Sequence, residues 1–213
     1  MEKYGKIPDK FTAAWFEYVW EYYKIHIIVT LLVIAAVVYT WIAIATRTYY
    51  DLYVCFAGDH AIASESKEKF TETLKEKVSD INGDGEINVY ICDYTFPEDF
   101  DDTDYIHAMN QRFHLELQAG DSFVFIVPET TASELAINPS LVGLFESPAD
   151  WCGKESKNEF FIKTENSSAL KDAGILYDDL YIGVRNFTFA EGDEDDKAQR
   201  ENALKAANFI LGN

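Results

Sequence analysis

Positive charge is what this sequence lacks. Lys and Arg number 18 against 37 Asp and Glu, a formal net charge of −19 over 213 residues. A nucleic-acid binder needs a basic footprint to displace counterions from phosphate, so that class is excluded. Cysteine is scarce as well, and three residues cannot build a disulfide framework. Proline occurs five times, with no Pro- or Ser-rich linker and no internal repeat. Apolar residues at 48% and charged residues at 26% exclude wholesale disorder.

Charge of either sign is missing from residues 25–46, IHIIVTLLVIAAVVYTWIAIAT. A helix of that length covers about 33 Å, enough for a hydrocarbon core of about 30 Å. A soluble core helix would show a polar stripe, which this segment does not. The spacing therefore predicts a transmembrane helix over 25–46. Lys3, Lys6, Lys10 and Lys24 precede it, and only Arg47 falls in the 20 residues after it. The positive-inside rule predicts a cytoplasmic N-terminus, an extracytoplasmic C-terminal part and localisation to the cell membrane. Ala43-Ile44-Ala45 fits a signal cleavage site, but the apolar run is too long for a signal h-region of about 7–15 residues. An uncleaved signal-anchor is expected.

Residues 1–24 form an aromatic segment ahead of the span. Seven of the 13 residues from Phe11 to Tyr23 are aromatic. Trp15, Tyr18, Trp20, Tyr22 and Tyr23 suit the headgroup region, where a ring is half buried and its polar atom stays wet. Two roles fit: an interfacial anchor running straight into the span, or a docking surface for a partner membrane protein.

The whole deficit of positive charge belongs to residues 47–213, with 14 basic and 33 acidic residues. Solubility alone explains such a balance. Strands are predicted at Asp51–Phe56, Ile87–Cys92, Phe123–Val127, Phe160–Lys163 and Leu180–Arg185. Helices are predicted at 65–78, Asp102–Leu117 (stopped by Gly120), in part of 130–145 with a break near Pro139, and at 193–211 behind Asp193. Alternation of strand and helix predicts one three-layer α/β domain with a mostly parallel sheet.

Asp51-Leu52-Tyr53-Val54 and the run Leu115–Val127, with its Gly120 before Phe123-Val124-Phe125-Ile126-Val127, resemble the first lobe of type II extracellular solute-binding proteins. The closing segment Glu201–Leu211 resembles their C-terminal helices. Tyr22-Tyr23-Lys24-Ile25-His26 entering the span resembles uncharacterised single-pass membrane proteins of Gram-positive bacteria. The resemblance implies a lobe-like α/β fold outside the membrane. It covers residues for one lobe of a two-lobed family, so no ligand-binding residues carry over.

The best local motif is Asp80-Ile81-Asn82-Gly83-Asp84-Gly85-Glu86-Ile87-Asn88. Asp80, Asn82 and Asp84 at positions 1, 3 and 5, Gly85 at 6, the Glu86 carbonyl at 7 and Asn88 at 9 match the first part of a calcium loop. Position 12 is Ile91 instead of a bidentate Glu, so an outside carboxylate, Asp93 or Asp59, is required. The alternative is a Gly-rich helix-to-strand turn. His107 and His114, seven apart with Asn110 between, lack a partner at zinc spacing and read as solvated. His60 follows Asp59 after the first strand, the end where α/β sheets place ligands. Cys55 and Cys92 read as buried thiols in neighbouring strands, and Cys152 as a loop thiol beside Trp151. No nucleophile elbow, phosphate loop or zinc-protease motif is present. The sequence thus predicts a membrane-anchored extracytoplasmic binding or interaction module without catalysis. The alternative is an accessory subunit docked on a membrane complex through its aromatic helix and span.

Overall fold

The computed structural model describes residues 8–97, 99–119, 121–141, 143–165, 167–186 and 194–212. Lys3, Lys6, Gly120 and Asp193, which enter the expectations above, lie outside the described residues. The chain divides into two compact units, Met1–Thr48 and Tyr49–Asn213.

Among its described residues the first unit has one helix, α1 (Ala13–Ala45, 33 residues). The aromatic segment and the apolar run are continuous because no Pro or Gly interrupts them. Thr12 caps the helix, its hydroxyl accepting from the Trp15 amide at 3.2 Å. No residue of α1 is buried, and the helix is long and apolar enough to cross a membrane. At 1.5 Å per residue it measures about 50 Å, well beyond a hydrocarbon core of about 30 Å.

The second unit carries β1 (Leu52–Gly58), α2 (Ser64–Lys75), β2 (Val89–Thr95), α3 (Thr103–Ala119), β3 (Val124–Pro128) and α4 (Glu129–Ile137). After a 3-10 turn at Pro139–Leu141 come α5 (Pro148–Trp151), β4 (Phe161–Lys163), α6 (Ser168–Asp172), β5 (Leu180–Val184) and α7 (Glu194–Ile210). The short helices α5 and α6 have too few residues to show a helical period, so the sequence does not announce them.

The five strands form one sheet in the order β2-β1-β3-β5-β4. Side chains alternate strictly across it, as a pleated strand requires. Leu52, Val54 and Phe56 of β1, Val124 and Ile126 of β3, and Leu180, Ile182 and Val184 of β5 face one core with Phe70 and Leu74 of α2, Leu170 of α6 and Ala203, Ala206, Ala207 and Ile210 of α7. Cys55, Ala57, Phe125 and Val127 face the other, with Phe113 and Leu117 of α3 and Ala132 and Leu135 of α4. Helices on both faces make three layers, and β3 is buried at all five positions.

The sheet is mostly parallel, as expected: four strands share one direction, and β5 alone is reversed, running antiparallel to both β3 and β4. Strand runs such as Leu180–Val184 are apolar whichever way they point, so periodicity carries no sense of direction. The reversal sets the loop before β5 at the same end of the sheet as the loop after β1.

Gly183 of β5 sits opposite Phe161 of β4. A Cβ there would lie 2.5 Å from Phe161 Cε1. Phe161 also packs on Phe145 at 4.7 Å, so its ring has nowhere to retreat. Gly183→Ala should destabilise the unit by about 1–3 kcal/mol through overpacking. Urea unfolding followed by pulse proteolysis measures this, and adding Phe161→Leu should recover part of the loss.

Candidate functional site

The predicted calcium segment is a tight loop at the N-terminal end of β2. The Asp80 carboxylate accepts from the Gly83 amide at 2.7 Å and from the Gly85 amide at 2.8 Å. Asn82 Oδ1 accepts from the Asp84 amide at 2.9 Å, and Asp84 Oδ1 from the Glu86 amide at 2.8 Å. Gly83 and Gly85 take φ of 72° and 86°, a backbone region open to glycine. Glu86 is exposed and Asn88 half-buried. Each oxygen keeps a second lone pair, so these bonds orient the groups without exhausting them. Among the described residues, no three His, Cys, Asp or Glu side chains converge as a metal set.

The outside carboxylates expected for this loop lie elsewhere. Asp93 is at the far end of β2, bonded to Lys67 at 2.5 Å and to the Thr95 hydroxyl at 2.6 Å. Asp59 follows the far end of β1. Four residues of strand, at about 3.3 Å each, separate Val89 from Asp93. The carboxylate that does face the loop is Asp51, just before β1. It is 1% exposed and accepts from the Ile81 and Asn88 amides, both at 2.8 Å. Asn202 of α7 completes the junction. Its amide donates to the Asp51 carbonyl at 3.1 Å and the Ser79 carbonyl at 2.7 Å, and its oxygen accepts from the Ser79 amide at 3.0 Å.

The other end of the sheet gathers a second set of residues. The connections from β1 to β2 and from β2 to β3 leave on opposite sides of β1, so strand order reverses between β1 and β3, the position where open α/β sheets form a crevice. Gly58 ends β1 with φ of 120°, and a Cβ there would lie 2.5 Å from Pro128 Cδ. His60 follows. Its Nε2 meets Asp179 Oδ1 at 2.7 Å, and its Nδ1 lies 3.6 Å from Asp59. Its ring stacks on Tyr177 at 4.3 Å and 16°. The Tyr177 hydroxyl donates to the Ala61 carbonyl at 2.8 Å, locking the stack. A hollow of about 280 Å3 lies beside it, lined by Ile62, Ser66, Gly174, Leu176 and Tyr177 among others. Leu176 is 72% exposed at its rim.

His60 was legible in the sequence, but its partners Tyr177 and Asp179 were not. They lie 117 and 119 residues away in a loop that an all-parallel sheet would put at the opposite end. The signal available was Tyr177-Asp178-Asp179 directly before an apolar strand, which marks a turn but not its direction.

The remaining candidates are structural or exposed. Cys55 and Cys92 are register partners on β1 and β2. Burial pushes the Cys55 thiol well above its ordinary range and the Cys92 thiol up to about 11. Neither is a ready nucleophile. Cys152 is half-buried at the end of α5, its thiol donating to the Pro148 carbonyl at 3.1 Å. His107 and His114 are both exposed on α3, as their spacing predicts. On α1, Trp15 and Tyr18 are half-buried by their own neighbours, while Trp20, Tyr22 and Tyr23 are exposed. Tyr18 and Tyr22 pack at 5.0 Å, and Trp15, Tyr18 and Tyr22 share one helical face.

Removing the Asp80 carboxylate should release the Gly83 and Gly85 amides, so Asp80→Ala is expected to speed their hydrogen exchange while the strands stay protected. If the loop takes calcium with a Kd on the order of 10⁻⁴ M, about 10 mM raises Tm by several degrees. Asp80→Ala with Asp84→Ala then abolishes that rise. An equal small shift with magnesium in both proteins identifies charge screening and a plain turn. Comparison with family models, with curated proteins and with solved structures finds no match to this chain.

Proposed function

We propose that this protein is a membrane-anchored extracytoplasmic binding module that holds a ligand or partner without carrying out chemistry on it. The observation that supports this most is the contrast between the two units. α1 exposes its apolar side chains along its whole length, which water does not tolerate but lipid does. Tyr49–Asn213 encloses two cores of its own on either side of a sheet. The excess of Lys before the span over Arg47 after it argues for a cytoplasmic N-terminus. The likeness to one lobe of type II solute-binding proteins belongs to the same reading, with the α/β unit as a single lobe. We assign the contact with the ligand or partner to the end of the sheet that carries His60, Tyr177 and Asp179. There polar side chains converge beside a hollow at the reversal of strand order.

The second reading, an accessory subunit docked through α1, draws support from one feature. The helix overshoots a bilayer core by roughly 20 Å. Val19, Tyr23, His26, Ile27, Thr30 and Leu31 line one largely apolar face of that helix, which a neighbouring membrane helix would cover.

Protease added to protoplasts should remove the region after Arg47 and spare the N-terminal segment. Protection of the α/β unit would contradict the orientation. Covalent capture of neighbours in intact membranes then separates the two readings. Loss on His60→Ala with Tyr177→Ala supports the sheet-end site. Loss only when α1 is replaced by an unrelated apolar span supports docking.

A further inference from the structure

We propose that the outer edge of β2 accepts an extended segment of a partner protein, apolar at its centre and basic at both ends, as an added strand of the sheet. This surface is separate from the site around His60 and draws on nothing in α1. β2 is the outermost strand on the β1 side of the sheet. All seven of its residues pair with β1 in one unbroken register, from Val89 opposite Leu52 to Thr95 opposite Gly58. The Asn88 carbonyl accepts from the Asp51 amide at 2.7 Å, and the Phe96 amide donates to the Gly58 carbonyl at 3.0 Å. Even-numbered residues therefore turn their backbone groups toward β1. The two-residue alternation of a strand turns those of Val89, Ile91 and Asp93 outward. Among the described residues, none of these three amides donates to a protein group. The row stops at Thr95, whose amide donates to the Asp93 carboxylate at 3.0 Å.

The two edges of the sheet are built differently. At the other edge β4 is three residues long and ends on Lys163. Short length and an edge lysine both discourage strand addition. β2 has neither, and it has no proline and no bulge. Its side chains offer apolar surface on both faces: Tyr90 is 44% exposed on the α3 side, and Ile91 is half-buried on the α2 side. An added strand would lay alternate side chains beside each of them, which calls for an apolar centre.

Charge names the ends of the partner segment. Residues 78–104 hold nine Asp and Glu and no Lys, Arg or His. Among the described residues of that stretch, Asp93 alone is ion-paired, to Lys67 of α2. Glu86 stands exposed just before β2, and Asp99 and Asp101 stand exposed just after it. Carboxylates thus bracket the row of outward amides, at a separation of roughly 20 Å along the strand. Main-chain hydrogen bonds supply affinity in strand addition, and the brackets select a segment with Lys or Arg at its two ends. The same carboxylates oppose a second copy of this chain, which would bring its own acidic brackets to the edge.

The probe is a synthetic peptide of alternating Val and Thr with a pair of Arg at each end, added to the full chain in phosphatidylcholine nanodiscs. Amide hydrogen exchange is read residue by residue. Exchange at Val89, Ile91 and Asp93 should slow about tenfold or more, while Tyr90, Cys92 and Tyr94, which face β1, stay unchanged. A peptide with the same centre and Glu at both ends should slow none of them. Glu86→Lys with Asp101→Lys, both exposed, should weaken binding of the labelled Arg peptide about tenfold or more, read by fluorescence anisotropy. Ile91→Pro deletes one outward amide and no bond to β1, and should weaken it as much. Slowing on both sides of the strand alike, or none up to millimolar peptide, overturns strand addition. Equal binding of the Arg and Glu peptides, or binding that the lysine pair leaves unmoved, overturns the basic partner. Alternating protection that is present without peptide and grows with chain concentration puts a second copy on the edge and also overturns the proposal.

Discussion

A buried carboxylate and a buried carboxamide hold the α/β unit together where the chain enters it. Asp51 and Asn202 are each 1% exposed, and between them they bind backbone groups of three separate segments. Asp51 fixes both ends of the loop 81–88, and Asn202 ties α7 to the start of β1 and to Ser79. Burying these groups is costly unless every oxygen and proton is matched, and here they are matched by groups from elements far apart in sequence. The junction therefore specifies one arrangement of the N-terminal sheet edge, the acidic loop and the last helix.

The sheet then separates two environments. Seven residues of β1, at about 3.3 Å each, put roughly 20 Å between the end that carries Asp51 and the end that carries His60. Loops, hydrogen-bonded carboxylates and exposed rings occupy the first end. A stacked histidine between two aspartates and a shallow hollow occupy the second.

Much of this was readable from the residues. The uncharged run 25–46 and the aromatic segment before it specify one long exposed helix, because nothing in them breaks a helix. All five strands fall within three residues of where apolar runs place them, and the fully buried β3 leaves the most continuous signature. Helix α2 is shorter than its pattern suggests, ending at Lys75, yet Val78 beyond it is still buried. The direction of β5 was not readable, and with it the partners of His60. Nor was the role of Asp51, which looks like an ordinary polar residue ahead of a strand; its importance lies in contacts 30, 37 and 151 residues away. The calcium-like spacing was readable, but its missing ligand was sought at the wrong end of the sheet, because spacing does not reveal which carboxylate faces a loop.

The most direct test of this account is a double-mutant cycle on Asp51→Ala and Asn202→Ala, with the stability of the α/β unit measured by urea pulse proteolysis in the full chain. Each single change removes at least two buried hydrogen bonds and should cost about 2–4 kcal/mol. Because both open the same junction, the double variant should cost less than the sum, with a coupling of about 1 kcal/mol or more. Single losses below about 0.5 kcal/mol, the range of ordinary surface substitutions, would contradict the claim that this junction organises the unit.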